Sequence, residues 1–171
     1  MIDIAFIHEE FGINPPLPES IVQSSLRFMI AFYYCENKFF QRYCQFNEVP
    51  NYAQNIIQNQ KEDPSNNIDL AFQFFHRRYS SNVDANNRRF ALVSSLTNPK
   101  KSLDTIEESL SQAEADHNPY SKLIASLYII VRLRHNLFHA NKYEAINDDP
   151  EGQRILLDNA TNLLGYLLKN S

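Results

Sequence analysis

The sequence predicts an all-α protein, folded as one helical domain over residues 1–171. Apolar residues recur at spacings of three, four and seven along most of the chain, which is the helical period. No stretch alternates apolar and polar residues as a half-buried strand does. The chain has only three glycines, all isolated, which excludes the Gly-rich phosphate loops of nucleotide-binding α/β proteins. A helical bundle is therefore the expected architecture.

The first long helix is predicted over about residues 19–46. Residues 1–17 are expected to form an irregular lead rich in proline, and Pro18 is suited to the first turn of a helix. Two apolar faces run along the helix, so it should be central to the core. Cys35 and Cys44 would lie on its opposite faces, about 13 Å apart along the axis, too far to form a disulfide.

The region after this helix has a weak helical signal, since only Tyr52, Ala53, Ile56 and Ile57 suggest a short helical turn. Residues 47–67 are rich in Asn and Gln and contain Pro50 and Pro64, which favours a surface insertion. Three shorter helices are then expected, at about 67–79, 83–97 and 102–115.

Two helix starts near the C-terminus carry strong signals. Asn118 followed by Pro119 is a cap followed by a first-turn proline, and the helix should continue to about residue 139. Its apolar residues fill two sectors of the helical wheel and leave little of its surface for water. Asp149 followed by Pro150 predicts the start of the last helix.

Charge and hydropathy exclude some functional classes. The formal net charge of -4 argues against a protein that coats duplex nucleic acid. A local basic island remains, because the charged residues between His117 and Tyr143 are all basic: Lys122, Arg132, Arg134 and Lys142. The N-terminal residues do not resemble a signal peptide, and the longest apolar run is too short to span a bilayer. We therefore expect a cytoplasmic protein without a membrane partner.

Arg134 and His139 form the most informative pair in the sequence. In a helix they would be about 140° apart around the axis and about 7.5 Å along it, so they could flank a ligand without touching. A histidine can move a proton near neutral pH, and an arginine can stabilise charge that develops on phosphate oxygens. These are the two requirements for RNA cleavage by the neighbouring 2′-hydroxyl.

The segment Arg-His-Asn-Leu-Phe-His over residues 134–139 resembles the signature of HEPN domains. This all-helical family includes many metal-independent ribonucleases of toxin and defence systems. The resemblance implies a homodimer whose two motifs face one cleft, where single-stranded RNA is cut to 2′,3′-cyclic phosphate and 5′-hydroxyl ends. It implies no metal or other cofactor, and it leaves room for a neutralising protein partner.

The resemblance also assigns roles to single residues. Arg134 would stabilise the phosphorane, His139 would move the proton, and His135 would take the polar position after the arginine. The remaining substrate contacts are expected from Asn136, Lys142 and Arg132. Two departures point to a member without activity: Ala140 stands where the family usually has Gly, and His135 where it more often has Asn or Asp.

Other interpretations stay open at this stage. The chain could be a catalytically inactive HEPN-type module that binds a nucleotide, an RNA or a protein, or a plain structural subunit. Arg134 could pair with an acid such as Glu144. His135 and His139 are four residues apart on one helical face, a spacing at which two histidines can bind one metal ion. Glu36 and Asn37 of the first helix could approach the motif, with roles that the sequence does not define.

Overall fold

The computed structural model describes residues 9–10, 12, 16–40, 44–81, 83–137, 146 and 148–171. Within these ranges the structure is helical and contains no strand, so the predicted all-α class is confirmed. The helices are α1 (Glu19–Phe39), α2 (Val49–Asn59), α3 (Ser65–Tyr79), α4 (Ala85–Val93), α5 (Pro99–Asp116), α6 (Pro119–Leu137) and α7 (Pro150–Lys169). No helix in these ranges is both long enough and apolar enough to cross a membrane.

Helix α6 is the centre of the bundle. Its residues from Ala125 to Leu133 are all buried, including one arginine, Arg132. It packs against α5 and α3 most extensively and also against α2. This confirms the expectation that little of the helix faces water, because apolar residues on nearly every side require neighbours on nearly every side.

Helices α1 and α7 form the most extensive helix pair in the described ranges. The Ser24 hydroxyl donates to Asp158 at 2.8 Å, and the Cys35 thiol approaches the Leu164 carbonyl at 3.8 Å. Because these contacts advance in the same direction along both helices, α1 and α7 run parallel. Phe28, Phe32 and Phe39 of α1 are fully or almost fully buried, which accounts for the aromatic first helix that the sequence shows.

The capping residues read from the sequence are confirmed. The Asn118 side chain accepts the Tyr120 backbone N–H at 2.9 Å at the start of α6. The Asp149 carboxylate accepts the Gly152 N–H at 2.9 Å at the start of α7. Each side chain satisfies a backbone donor that the first helical turn leaves unpaired.

The prediction of a surface insertion over 47–67 is wrong. A short 3-10 helix (Phe46–Glu48) leads into α2, in which Val49, Tyr52, Ala53 and Ile56 are buried. The apolar residues keep helical spacing, and the Asn and Gln residues occupy mainly the outer face. Pro50 lies in the first turn of α2, where a proline is compatible with a helix.

The first helix is also shorter than predicted, since α1 ends at Phe39 rather than near residue 46. Cys44 therefore lies beyond the helix that contains Cys35, and the predicted separation along one axis does not apply. Of the predicted irregular lead, residues 1–8, 11 and 13–15 lie outside the described residues.

Candidate functional site

The candidate site is the C-terminal end of α6. Arg134 and His135 occupy its last turn, where the helix dipole favours positive charge. Asn136 and Leu137 complete the helix. His139 and Lys142, which the sequence assigns to catalysis and to RNA binding, lie outside the described residues.

Arg134 lies at the boundary between the core and the surface. Its side chain is 34% exposed, and its guanidinium carbon is 5.8 Å from the ring centroid of Phe32. One guanidinium nitrogen is 3.9 Å from Oε1 of Glu36. The aromatic ring supports the stem and the charge, while the partial exposure leaves the side chain able to contact a bound molecule.

Glu36 connects α1 to the motif. Its side chain is 17% exposed, and its Oε1 also accepts the Cys44 backbone N–H at 3.2 Å. The carboxylate therefore binds the backbone of Cys44, which follows α1, and also approaches Arg134. The sequence suggested that Glu36 could approach the motif. It also named Glu144 as an acid that could pair with Arg134, and Glu144 lies outside the described residues. Asn37 is exposed and donates its amide to the Tyr33 carbonyl of its own helix.

Arg132 and Asn136 do not occupy the positions expected of substrate-binding residues. Arg132 is 3% exposed and Asn136 is 4% exposed. Both bind the Leu92 carbonyl in the last turn of α4, through Arg132 Nε at 3.1 Å and Asn136 Nδ2 at 3.0 Å. The structure thus corrects their predicted role: they cap a neighbouring helix whose last carbonyls have no partner within the helix.

The buried arginine is stabilised mainly by dipoles. Its guanidinium also approaches Asn136 Oδ1 at 3.3 Å and the Ser95 hydroxyl at 3.4 Å. Burial lowers the pKa of Arg132, yet an arginine remains charged at any ordinary pH. The negative end of the α4 dipole accounts for the tolerance of this charge in the core. Sequence reasoning missed Ser95, because its place in the network depends on how α4 and α5 pack against α6.

His135 is half-buried beside this network. Its Nδ1 lies 3.4 Å from a guanidinium nitrogen of Arg132. A guanidinium has no acceptor, so the imidazole must accept this hydrogen bond through Nδ1.

The described residues of the predicted basic island do not form one patch, and its fourth member, Lys142, lies outside the described residues. Lys122 lies near the start of α6 and pairs with Asp69 at 2.8 Å, far from the motif at the other end. Arg132 is buried, and Arg134 has Glu36 beside it. Asp69 and Glu36, from distant parts of the chain, therefore lie beside Lys122 and Arg134, which have no acidic residue near them in the sequence.

Cys35 and Cys44 lie near this site as free thiols, the first buried and the second half-buried. The pKa of each thiol is raised from 9.0 to about 12, mainly by burial and for Cys44 also by the nearby Glu36 carboxylate. Both side chains are therefore neutral thiols at physiological pH, which disfavours a nucleophilic role.

Among the residues that the structure describes, no three His, Cys, Asp or Glu side chains are grouped as metal ligands would be. The predicted pair of His135 and His139 includes a residue outside that part of the chain, so its metal-binding potential stays a prediction.

Comparison of the chain with protein-family models, with curated proteins and with solved structures found no match to any of them.

Proposed function

We propose that the protein is a metal-independent endoribonuclease of the HEPN type that cleaves single-stranded RNA as a homodimer, within a toxin or defence system. Arg134 stabilises the charge that develops on the scissile phosphate, and His139 transfers the proton. The proposal rests on the resemblance of residues 134–139 to the HEPN signature and on the all-helical fold, with which that family is compatible.

The observation that carries the proposal is the position of Arg134. It is the arginine of the motif segment that reaches the surface, with a side chain that is 34% exposed, whereas Arg132 is 3% exposed. Phe32 and Glu36 hold it at the end of α6, next to the segment that contains His139. A partly exposed guanidinium restrained by its neighbours loses little freedom when it binds a phosphate.

The neighbouring polar residues then have supporting roles. Arg132 and Asn136 fix the end of α6 to α4 and so position the helix turn that presents Arg134. His135, whose Nδ1 lies 3.4 Å from the Arg132 guanidinium, takes the polar position after the arginine. Proton transfer is assigned to His139.

A second copy of the chain fits the exposed face of α1. Five large apolar side chains, which we call the α1 stripe, follow one another at helical spacing and are 37–61% exposed: Leu26, Met29, Ile30, Tyr33 and Tyr34. Glu36 is seven residues from Met29, about 20° away around the helix, so the stripe borders the side chain that faces Arg134. Pairing of two stripes would bring two copies of the site near one interface.

A second candidate function is the inactive module that binds RNA, a nucleotide or a protein. The approach of Glu36 to Arg134 at 3.9 Å favours it, because a carboxylate there competes with an RNA phosphate for the guanidinium. The departures from the family pattern at Ala140 and His135 point in the same direction.

An RNA cleavage assay in excess chelator separates the two functions. The wild-type protein is incubated with end-labelled single-stranded RNA, and the product ends are identified. We expect 2′,3′-cyclic phosphate ends, with cleavage at least about 100-fold slower in Arg134→Ala, since loss of one group that stabilises the transition-state charge has an effect of that order. His139→Ala should lose cleavage as well.

Lys169→Ala serves as the control, because Lys169 is an exposed basic residue on α7, outside α1 and α6. It should cleave like the wild type. RNA that remains intact but bound would favour the inactive module, and cleavage that requires an added divalent metal would refute the metal-independent mechanism.

A further inference from the structure

A groove between α3 and α7 has a chemical character different from that of the proposed active site. Its volume is about 720 Å³, within the range of ligand-binding sites. Ala71 and Leu163 are buried at its base, and side chains of the two helices form its walls. The Tyr166 hydroxyl, which approaches the Asp63 carbonyl at 3.4 Å, marks the end where α3 begins and α7 ends. The two helices therefore line the groove in opposite directions.

Amide side chains make up much of the groove wall. Asn67 and Gln73 project from α3, and Asn159 and Asn162 from α7. Each amide can donate and accept hydrogen bonds. A ligand that removed them from water without offering hydrogen bonds would bind poorly, because buried polar groups need partners. The groove therefore favours a ligand that offers both hydrogen-bond donors and acceptors.

Among the described residues that line the groove, Arg77 is the cation and none is a carboxylate. Arg77 is exposed in the last turn of α3, and none of the described carboxylates forms an ion pair with it. On the opposite helix Arg154 pairs with both Glu151 and Asp158, at 2.6 Å and 2.7 Å. The acids nearest the groove on α7 are thus engaged elsewhere, and the guanidinium of Arg77 is suited to an anionic group of a ligand.

The rest of the wall is apolar and accessible. Leu70 is 59% exposed and Ile155 is 38% exposed, while Phe74 is half-buried beside them. These side chains offer contacts to apolar groups on either side of the anion. The described lining of the groove therefore combines amides, which donate and accept hydrogen bonds as peptide groups do, with the cation Arg77 and with apolar side chains.

We propose that this groove binds an extended peptide segment of a protein partner, with an acidic residue on Arg77 and apolar side chains against Leu70, Phe74 and Ile155. The N–H and C=O groups of an extended chain are spaced along its length and are unpaired, so they match the amides. From Asn67 to Arg77 the groove follows about 15 Å of helix, which about five extended residues would span.

Other occupants fit the groove less well. Single-stranded RNA carries one phosphate per nucleotide and would place several charges along a groove whose described lining residues include one cation, Arg77. A docked helix satisfies its own backbone groups and would offer the groove amides only its side chains. The proposal involves helices other than those that hold Arg134, and it does not depend on ribonuclease activity.

Selection from a displayed library of randomised peptides tests the proposal with the full-length protein. Enriched peptides should share an acidic residue flanked by apolar ones. Their affinity, measured by fluorescence anisotropy, should fall at least about tenfold in Arg77→Glu, since a charge-assisted hydrogen bond is lost and a like charge is introduced. Gln73→Ala should weaken binding less.

Arg27→Glu is the matched control, because it reverses the charge of an exposed arginine on α1, away from the groove. It should bind the enriched peptides like the wild type. Circular dichroism of each variant checks that the helices are intact. Enrichment without acidic residues, affinity that is insensitive to Arg77→Glu, or a labelled uridine-tract RNA that binds through Arg77 in place of the peptides would overturn the proposal.

Discussion

At the scale of the residue, Glu36 has two separable tasks. Its Oε1 accepts the Cys44 N–H, a contact that an amide oxygen could also make, and its charge lies beside Arg134. Glu36→Gln therefore retains the acceptor and removes the charge. This makes the substitution a selective probe of the electrostatics of the motif.

We expect Glu36→Gln to bind single-stranded RNA about two- to fivefold more tightly than the wild type, with cleavage retained. The reason is that the phosphate no longer competes with a carboxylate, and a partly exposed ion pair contributes about 1 kcal/mol or less. Filter binding in chelator measures the change. Glu48→Gln, which alters a carboxylate at the start of α2, is the control; weaker RNA binding by Glu36→Gln would contradict the prediction.

Asn136 is expected to contribute to stability rather than to RNA contact. Asn136→Ala removes the amide that binds the Ala91 and Leu92 carbonyls at 3.3 Å and 3.0 Å and leaves buried polar groups with fewer partners. The free energy of unfolding should fall by about 1–3 kcal/mol. Urea denaturation followed by circular dichroism measures it.

Asn37→Ala provides the comparison, because Asn37 is an exposed helical asparagine. Its effect should stay within about 0.5 kcal/mol. A stability for Asn136→Ala equal to that of Asn37→Ala would show that the buried network does not stabilise the end of α6.

At the scale of the element, α1 has two apolar faces, one buried and one exposed. One face holds Phe28, Phe32 and Cys35 in the core. The other is the α1 stripe, whose side chains remain exposed in a single copy of the chain. An amphipathic helix normally exposes polar residues on its outer face, and the stripe is the apolar surface that the proposed homodimer would cover.

Ile30→Glu should convert the proposed dimer to a monomer, since it places a charge at the centre of the stripe. Sedimentation equilibrium measures the oligomeric state. Phe90→Glu is the matched control, because Phe90 is 57% exposed on α4, outside the stripe. A wild-type protein that is already monomeric, or a dimer that survives Ile30→Glu, would exclude the stripe as the dimer interface.

At the scale of the whole molecule, the two cysteines link stability to alkaline pH. Each thiol has a pKa near 9.0 when the chain is unfolded and about 12 in the folded protein, because burial disfavours the thiolate. Above the lower value the unfolded chain loses protons that the folded protein keeps. Stability is therefore lost as the pH rises from about 9 towards 12.

A variant with both Cys35→Ala and Cys44→Ala should lose less stability than the wild type between about pH 8 and about pH 10, because the unfolded chain then has no thiols to ionise. Urea denaturation at the two pH values gives the comparison. Equal losses in both proteins would show that other groups, such as the buried tyrosines, govern the alkaline limit.

Much of the fold could be predicted from the sequence, because its determinants are local. Asn118 with Pro119 and Asp149 with Pro150 mark helix starts through contacts within one turn, and the apolar period identifies helices without reference to their neighbours. The wrong prediction for the Asn-rich segment 47–67 follows from its average composition. Its composition is polar on average, whereas burial of α2 depends on a few apolar residues at helical spacing.

The sequence by itself determined the all-α class, the two strongest helix starts and the candidate pair of Arg134 and His139, since each depends on residues a few positions apart. Only the tertiary structure decided that Glu36 approaches Arg134, that Arg132 and Asn136 cap α4, and that an amide-lined groove forms between α3 and α7. These features join residues separated by tens of positions. Their positions follow from how the helices pack, which no local pattern encodes.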